Sequence, residues 1–264
     1  MNEIFQNSAI SEPQNIQLVN THFIPFIQSI SKENNPVSLN NPFHYTPHPL
    51  CLEAAEELQS LVLKQAPFND YFGDASQGFE RGKMFGILVV RNKDNQLGYL
   101  KAFSGKLDGK NEHEGFVPPI YDSLNPDGFL SKGMKELKVM SERIDALGNM
   151  SSSIQLKEER AHFSAQLQDE LFEAYHFLNQ KKEKKSLKGI FKAANAGYPP
   201  TAAGECAAPK LFQYAFENDF EPLAMAEFWW GKSRVGEHFE HGKFYPACEE
   251  RCRPILGYML EGII

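Results

Sequence analysis

The chain has 264 residues, of which 42% are hydrophobic and 23% are charged, and its formal net charge at pH 7 is −7. This is the composition of an ordinary globular protein, and the acidic charge argues against nucleic-acid binding over the whole surface while leaving room for a local basic patch. Four cysteines are too few for a disulfide-rich scaffold, and neither a secretion signal nor an apolar run of about 18 residues is present, which predicts a cytoplasmic protein without a membrane span.

The first part of the chain alternates between polar and apolar character. Residues 1–45 are polar and interrupted by prolines, which predicts a partly ordered leader that docks through the apolar group at 23–27. The segment HPLCLEAAEELQ follows, and its apolar residues from Leu52 onward recur at helical spacing. The β-rich runs 84–90 and 97–103 flank a polar turn at 92–96 and therefore predict a β-hairpin.

Residues 131–192 differ from their surroundings. Apolar residues recur there at steps of three and four on either side of a Gly- and Ser-rich break, and charges fill many of the other positions. This pattern predicts two antiparallel helices, a coiled-coil arm that offers a surface to a partner. We therefore expect residues 46–130 to form an α/β core together with 193–264, with 131–192 as an inserted helical hairpin.

The last part of the chain predicts a helix at 206–216, a strand at 223–230 that is apolar on both faces, and a short helix at 248–261. Together the elements predict an α/β fold with a small mixed or antiparallel sheet, flanking helices and the helical-hairpin insertion.

Three of the four cysteines, Cys206, Cys248 and Cys252, lie at the starts of the two predicted terminal helices. A helix N-terminus favours the thiolate, which is the form that binds zinc. A zinc site would need a fourth ligand, for which His241 is the first candidate and His238 the second, or a water molecule in an open position. Two other interpretations stay open, since free cysteines also pack as small buried hydrophobic residues or take part in redox chemistry.

Two carboxylates, Glu205 and Glu227, are candidates for proton transfer. Glu205 adjoins Cys206, and Glu227 lies in the middle of an apolar strand, where a charge is costly unless it has a partner. An outward-facing residue or a structural ion pair would explain each of them equally well.

A local basic run and an aromatic strand are candidates for contact with RNA. The basic side chains attract phosphate, although a solvated helix end has the same composition. Trp230 is a candidate for stacking on a base, although alternation along the strand makes a core position equally compatible. The residues of the basic run are Lys181, Lys182, Lys184, Lys185 and Lys188.

The segments GECAAPKLFQYAF, PLAMAEFWWG and HGKFYPACEERCRPILGYMLEG, with HPLCLEAAEELQ and GKMFGILVV before them, resemble the long N-terminal extension of some bacterial RluA-family RNA pseudouridine synthases. The resemblance covers about residues 45–264. It implies a role in rRNA or tRNA modification, with RNA or a pseudouridine synthase catalytic domain as the partner. The family's catalytic domain would be expected to follow residue 264, so its catalytic residues have no counterpart in this chain.

The order of the elements, with cysteines at the starts of the later two helices, is similar to the fold of zinc-dependent nucleobase deaminases. That resemblance implies Cys206, Cys248 and Cys252 as zinc ligands. It also implies a catalytic Glu two residues after the first ligand, where this chain has Ala208, and a C-x2-C pair where this chain has C-x3-C. The leading hypothesis is an accessory module of an RNA-modification enzyme; the alternatives are a deaminase-like zinc hydrolase and a coiled-coil interaction scaffold.

Overall fold

The computed structural model describes residues 22–26, 36, 38–73, 78–148, 150–233, 236 and 238–263. Five strands in this part of the chain form one antiparallel sheet, and they are β1 (Ile24–Pro25), β2 (Gly82–Arg91), β3 (Leu97–Phe103), β6 (Glu221–Gly231) and β7 (Phe244–Tyr245). The spatial order is β1-β3-β2-β6-β7. The pair β4 (His176–Leu178) and β5 (Lys184–Ser186) forms a separate small sheet.

Helices cover both faces of the five-stranded sheet. They are α1 (Pro49–Glu57), α2 (Phe68–Phe72), α3 (Phe129–Leu147), α4 (Ser151–Ala174), α5 (Leu187–Ala193), α6 (Ala207–Glu217) and α7 (Glu249–Met259), and a π-helical turn, Leu58–Val62, extends α1. α5, α6 and α7 share one core with β2 and β6, whereas α1 and α2 pack on the opposite face. Among the described helices, none combines the length and the apolar character of a membrane span.

Alternation along β6 decides which side chains meet which helices. Met225 belongs to the core under α6 and α7, while Phe228 and Trp230 belong to the core under α1 and α2. Successive side chains of a strand point to opposite faces. Glu227 and Trp229 therefore lie on the α6 face, and their neighbours Phe228 and Trp230 lie on the other.

α3 and α4 pack against each other as an antiparallel pair. A Cβ added at Gly133 would lie 2.4 Å from Leu167 Cδ2, and Arg160 Nε donates to Ser141 Oγ at 2.7 Å. The predicted pair of helices is thus present as α3 and α4, but the second helix ends at Ala174, and β4, β5 and most of α5 occupy the rest of the predicted hairpin 131–192. The role as a coiled-coil arm stays a prediction. The elements after α4 are part of the main core, since Phe177 and Phe191 are buried beside α6.

The structure confirms the α/β class, the antiparallel sheet with flanking helices and the hairpin of β2 and β3. The helix predicted from Leu52 onward is present as α1; it turns Leu50, Cys51 and Ala54 inward and leaves Leu52 44% exposed. Most of the predicted leader lies outside the described residues; within it, Phe23 stacks on Phe220 with ring centroids 5.3 Å apart.

We predict that Gly86→Ala lowers the free energy of unfolding by about 1–3 kcal/mol, because a methyl group there overpacks the contact between β2 and α6. A Cβ at Gly86 would lie 2.9 Å from Leu211 Cδ1 and 3.0 Å from Ala207 Cβ. Urea unfolding followed by circular dichroism measures the change.

The matched control is Gly257→Ala in α7, where an added Cβ meets nothing within 4 Å. We expect this substitution to raise the free energy of unfolding by up to about 1 kcal/mol, because the position is an exposed helical one and alanine is the better helix former. Equal stability of Gly86→Ala and the unsubstituted protein would contradict the close packing of α6 on the sheet.

Candidate metal centre and its pocket

Three cysteines meet where α6 and α7 begin. Cys206 is the N-cap residue of α6 and Cys248 is the N-cap residue of α7, and both have extended backbone conformations there. Cys252 lies one turn further into α7 and is fully buried. Since α6 and α7 pack side by side against the sheet, their first turns bring the three sulfur atoms together.

The spacing of the sulfur atoms fits a zinc ion. Cys248 Sγ lies 3.4 Å from Cys252 Sγ and 4.0 Å from Cys206 Sγ, and all three atoms are within 4.8 Å of one another. A tetrahedral ion with Zn–S bonds of about 2.3 Å requires sulfur atoms about 3.8 Å apart. The cysteines are free thiols, at distances well beyond a disulfide bond. The three cysteines thus lie close enough together to bind a metal.

The cluster favours one thiolate even without a metal. Hydrogen bonding with Cys206 and then with Cys252 lowers the pKa of Cys248, which is also the exposed member. The pKa values of Cys206 and Cys252 are raised, chiefly because their protons are held in hydrogen bonds within the cluster and because burial disfavours further charge. Cys248 is therefore the thiol of the cluster that loses its proton most readily.

Glu227 lies beside this cluster on the α6 face of β6. It is 4% exposed, and its Oε1 accepts a hydrogen bond from Ala208 N at 3.1 Å. Burial, followed by the negative charge of Cys248, raises the pKa of Glu227 to about 8, while the Ala208 amide acts in the opposite direction. Cys206 itself makes no side-chain cap bond, so the strand supplies the acceptor that the first turn of α6 needs.

A pocket of about 520 Å³ opens over the cysteines and Glu227. One wall is aromatic, because Trp229 stacks on Phe239 with ring centroids 4.6 Å apart and planes 17° apart. Lys83 and Arg251 place positive charge along the same pocket. The pocket thus combines a soft metal site, a buried carboxylate and a flat apolar wall.

Glu205 lies next to Cys206 but belongs to a structural network. Its carboxylate accepts a hydrogen bond from the Tyr175 hydroxyl and lies 3.7 Å from Lys210 Nζ. Lys210 is 2% exposed and donates to the carbonyl oxygens of Phe103 and Gly105, each at 3.2 Å. Glu205 is absent from the lining of the cysteine pocket. Its contacts give no support to a role in proton transfer.

His241, the first candidate for a fourth ligand, does not join the cysteine cluster. Its Nδ1 accepts a hydrogen bond from Gly231 N at 3.0 Å, and its ring packs on Trp230 and Phe79. These contacts place His241 with Trp230 on the face of the sheet opposite the cysteines. His238 is exposed and does not join the cluster either. Among the described residues, the cluster has three ligands.

The basic run lies around the β4–β5 hairpin and the start of α5. Lys182 forms an ion pair with Asp219, Lys188 Nζ lies 2.5 Å from Asp169 Oδ2, and Lys185 Nζ lies 4.5 Å from the centroid of the Tyr258 ring. Lys181 and Lys184 are exposed. Trp230 is 5% exposed, inside the core on the α1 face. RNA contact by these residues stays a prediction.

Sequence reasoning missed Lys210 and Tyr45. The Tyr45 hydroxyl accepts a hydrogen bond from Glu227 N at 2.9 Å and donates to the carbonyl oxygen of Tyr245 at 2.8 Å, so it holds the strand that carries Glu227. A lysine within the apolar run CAAPKLFQYAF was a visible signal for a buried, partnered cation. No comparable signal marked Tyr45.

We predict that the purified protein binds one zinc ion per chain. Cys206→Ser, Cys248→Ser and Cys252→Ser should each lower zinc affinity by more than about 100-fold, since loss of an outer-shell partner alone costs about 10- to 100-fold. Competition with a chromophoric chelator measures the affinity. Cys51→Ala is the control, because Cys51 lies on α1 and is buried in a different cluster. Unchanged zinc affinity in the three serine variants would contradict the site.

Comparison with protein-family models, with curated proteins and with solved structures gave no match. The function is therefore argued from the geometry of the chain itself.

Proposed function

We propose that this protein is a zinc-dependent hydrolase of the deaminase type, which uses water to replace the amino group of a planar nitrogen heterocycle by oxygen. The observation that carries the proposal is the position of the Glu227 carboxylate, held on the Ala208 amide beside three converging cysteine sulfur atoms. Nucleobases and nucleosides are the chemical class of substrate that fits such a reaction.

The position of Glu227 makes up for the Glu that the deaminase pattern has two residues after the first ligand and that this chain lacks. In that pattern a Glu follows the first ligand by two residues, and this chain has Ala208 at that position. The Glu227 carboxylate accepts a hydrogen bond from the N–H of this same residue, 3.1 Å away. A residue of β6 thus places a buried carboxylate beside Ala208, the helix position that carries the Glu in the deaminase pattern.

The three-sulfur set fits a catalytic site better than a structural one. Structural zinc sites have four protein ligands, whereas catalytic sites have three and leave one position open. Cys206, Cys248 and Cys252 would hold the ion, and in the described part of the chain no fourth side chain joins them. When bound, zinc supplies a Lewis acid and makes a water molecule in the open position easier to deprotonate.

Glu227 provides the proton transfers that the reaction needs. The water oxygen adds to the ring carbon that carries the amino group, the bond from that carbon to the amino nitrogen breaks, and ammonia leaves. One water proton has to reach the ring nitrogen and the other the departing amino group. A buried carboxylate that lines the pocket accepts each proton and passes it on.

The pocket walls suit a flat ring. The stacked pair Trp229 and Phe239 offers an aromatic face, and Tyr245 packs edge-on against Phe239 with centroids 4.9 Å apart. Aromatic faces bind heterocyclic rings by stacking. The wall therefore orients the ring edge toward the cysteines and Glu227.

The accessory role in RNA modification stays a prediction from the sequence resemblance. Three of the five lysines of the basic run interact with groups of the chain itself, which leaves fewer free charges for phosphate than the sequence predicted. The two hypotheses are compatible, because a base within RNA is also a planar heterocycle.

We predict that the zinc-loaded protein releases ammonia from at least one of cytidine, deoxycytidine, adenosine and guanine, and that Glu227→Gln lowers the rate by about 100-fold or more. The amide keeps the acceptor for the Ala208 N–H but cannot carry protons as the carboxylate does. Zinc content of the variant should stay at that of the unsubstituted protein.

Glu221→Gln is the control, since Glu221 is on the same strand but exposed, in an ion pair with Arg91. Its rate should match that of the unsubstituted protein. Full activity in Glu227→Gln would show that Glu227 is only a structural cap, and no ammonia from any of the four compounds would contradict the proposed reaction.

A further inference from the structure

A second cavity of about 450 Å³ lies on the opposite face of the sheet from the cysteines. Phe72, Phe79 and Trp230 give it aromatic walls, while Lys64, Asp70 and His241 supply polar groups. We call it the rear cavity. It shares no lining residue with the cysteine pocket, so its function is independent of the proposed deaminase reaction.

Trp230 lines the rear cavity and carries a hydrogen-bond donor without a partner. Its side chain is 5% exposed, and its Nε1 is the one buried side-chain nitrogen or oxygen in the described part of the chain that lacks a partner. The neighbouring Trp229, by contrast, donates from Nε1 to the carbonyl oxygen of Gly231 at 3.2 Å. A buried donor without an acceptor is costly, and such groups in folded proteins call for an explanation.

His241 brings a second donor. Its Nδ1 accepts the hydrogen bond from Gly231 N at 3.0 Å, so the neutral ring carries its proton on Nε2. Burial and the nearby Lys64 charge lower the pKa of His241, which agrees with a neutral ring. The ring lies 4.3 Å from Trp230 and 4.4 Å from Phe79, measured between centroids. Two N–H donors and aromatic faces thus meet at one cavity.

We propose that the rear cavity binds a flat heterocyclic ring with a carbonyl oxygen at its edge, of the size of a nucleobase. The ring packs against Phe79 and the aromatic wall, and its carbonyl accepts from Trp230 Nε1 and His241 Nε2. Asp70 accepts hydrogen bonds from the N–H groups of the ring. The indole nitrogen of Trp230 is enclosed, so the ligand can reach it only after a neighbouring side chain moves. The exposed ring of His241, which packs on Trp230, is the side chain that moves in this proposal.

The two tryptophans make the test direct, because an ¹⁵N-labelled sample gives two indole N–H signals. Trp230→Phe assigns them by loss of one signal. Uridine, cytidine and guanosine are then titrated up to about 10 mM, which covers weak binding. We expect the Trp230 signal to move downfield as its N–H gains an acceptor, whereas a nucleoside that stacks on the wall of the cysteine pocket moves the Trp229 signal.

His241→Asn is the second variant, because asparagine keeps a short-range acceptor for Gly231 N while the Nε2 donor is lost. We expect its affinity for the bound nucleoside to fall by about tenfold, as for loss of one hydrogen bond. If a uridine trinucleotide moves the Trp230 signal, a base within RNA is the source of the ring. If uridine moves the signal and the trinucleotide does not, the source is a free nucleoside. Either result supports the site. A Trp230 signal that moves with none of these probes, or movement of the Trp229 signal alone, would overturn the proposal.

Discussion

The hydrogen bond from the Ala208 amide to the Glu227 carboxylate joins the middle of the sheet to the first turn of α6. Each partner needs the other. A buried carboxylate is costly without donors, and the first turn of a helix has amide groups without intrahelical acceptors. Because Cys206 immediately precedes that turn, the same bond fixes where its sulfur lies relative to α7. The three cysteines and the carboxylate beside them are therefore parts of one arrangement.

Two further contacts hold α6 close to the sheet. Gly86 lies directly opposite Glu227 in the β2–β6 register, and the absence of a side chain there lets α6 approach. Lys210, one turn after Cys206, ties α6 to the end of β3 through two carbonyl oxygens. Functional sites work when ligands are held within about 0.5 Å of the required position by such supporting contacts. Burial of a lysine costs free energy unless its charge has partners. The contacts of Lys210 hold α6, which begins directly after Cys206, against the sheet.

The sequence predicted the elements that carry the site but not how they meet. The positions of Cys206 and Cys248 at helix starts could be predicted from spacing and flanking prolines, and the hairpin from two β-rich runs on either side of a polar turn. His241 was chosen by closeness along the chain, and the contacts that take it to the rear of the sheet with Trp230 are not local. The pairing of Glu227 with an amide nineteen residues earlier depends likewise on the sheet register and helix packing, which no local pattern encodes.

The proposed reaction requires that three cysteine thiolates bind one zinc ion and leave one position open. X-ray absorption at the zinc K-edge of the loaded protein measures the ligand set directly. We expect three sulfur neighbours at about 2.3 Å and one oxygen neighbour at about 2.0 Å. Four protein ligands with no oxygen from solvent would make the site structural, and a zinc ion without sulfur ligands would contradict the proposed site altogether.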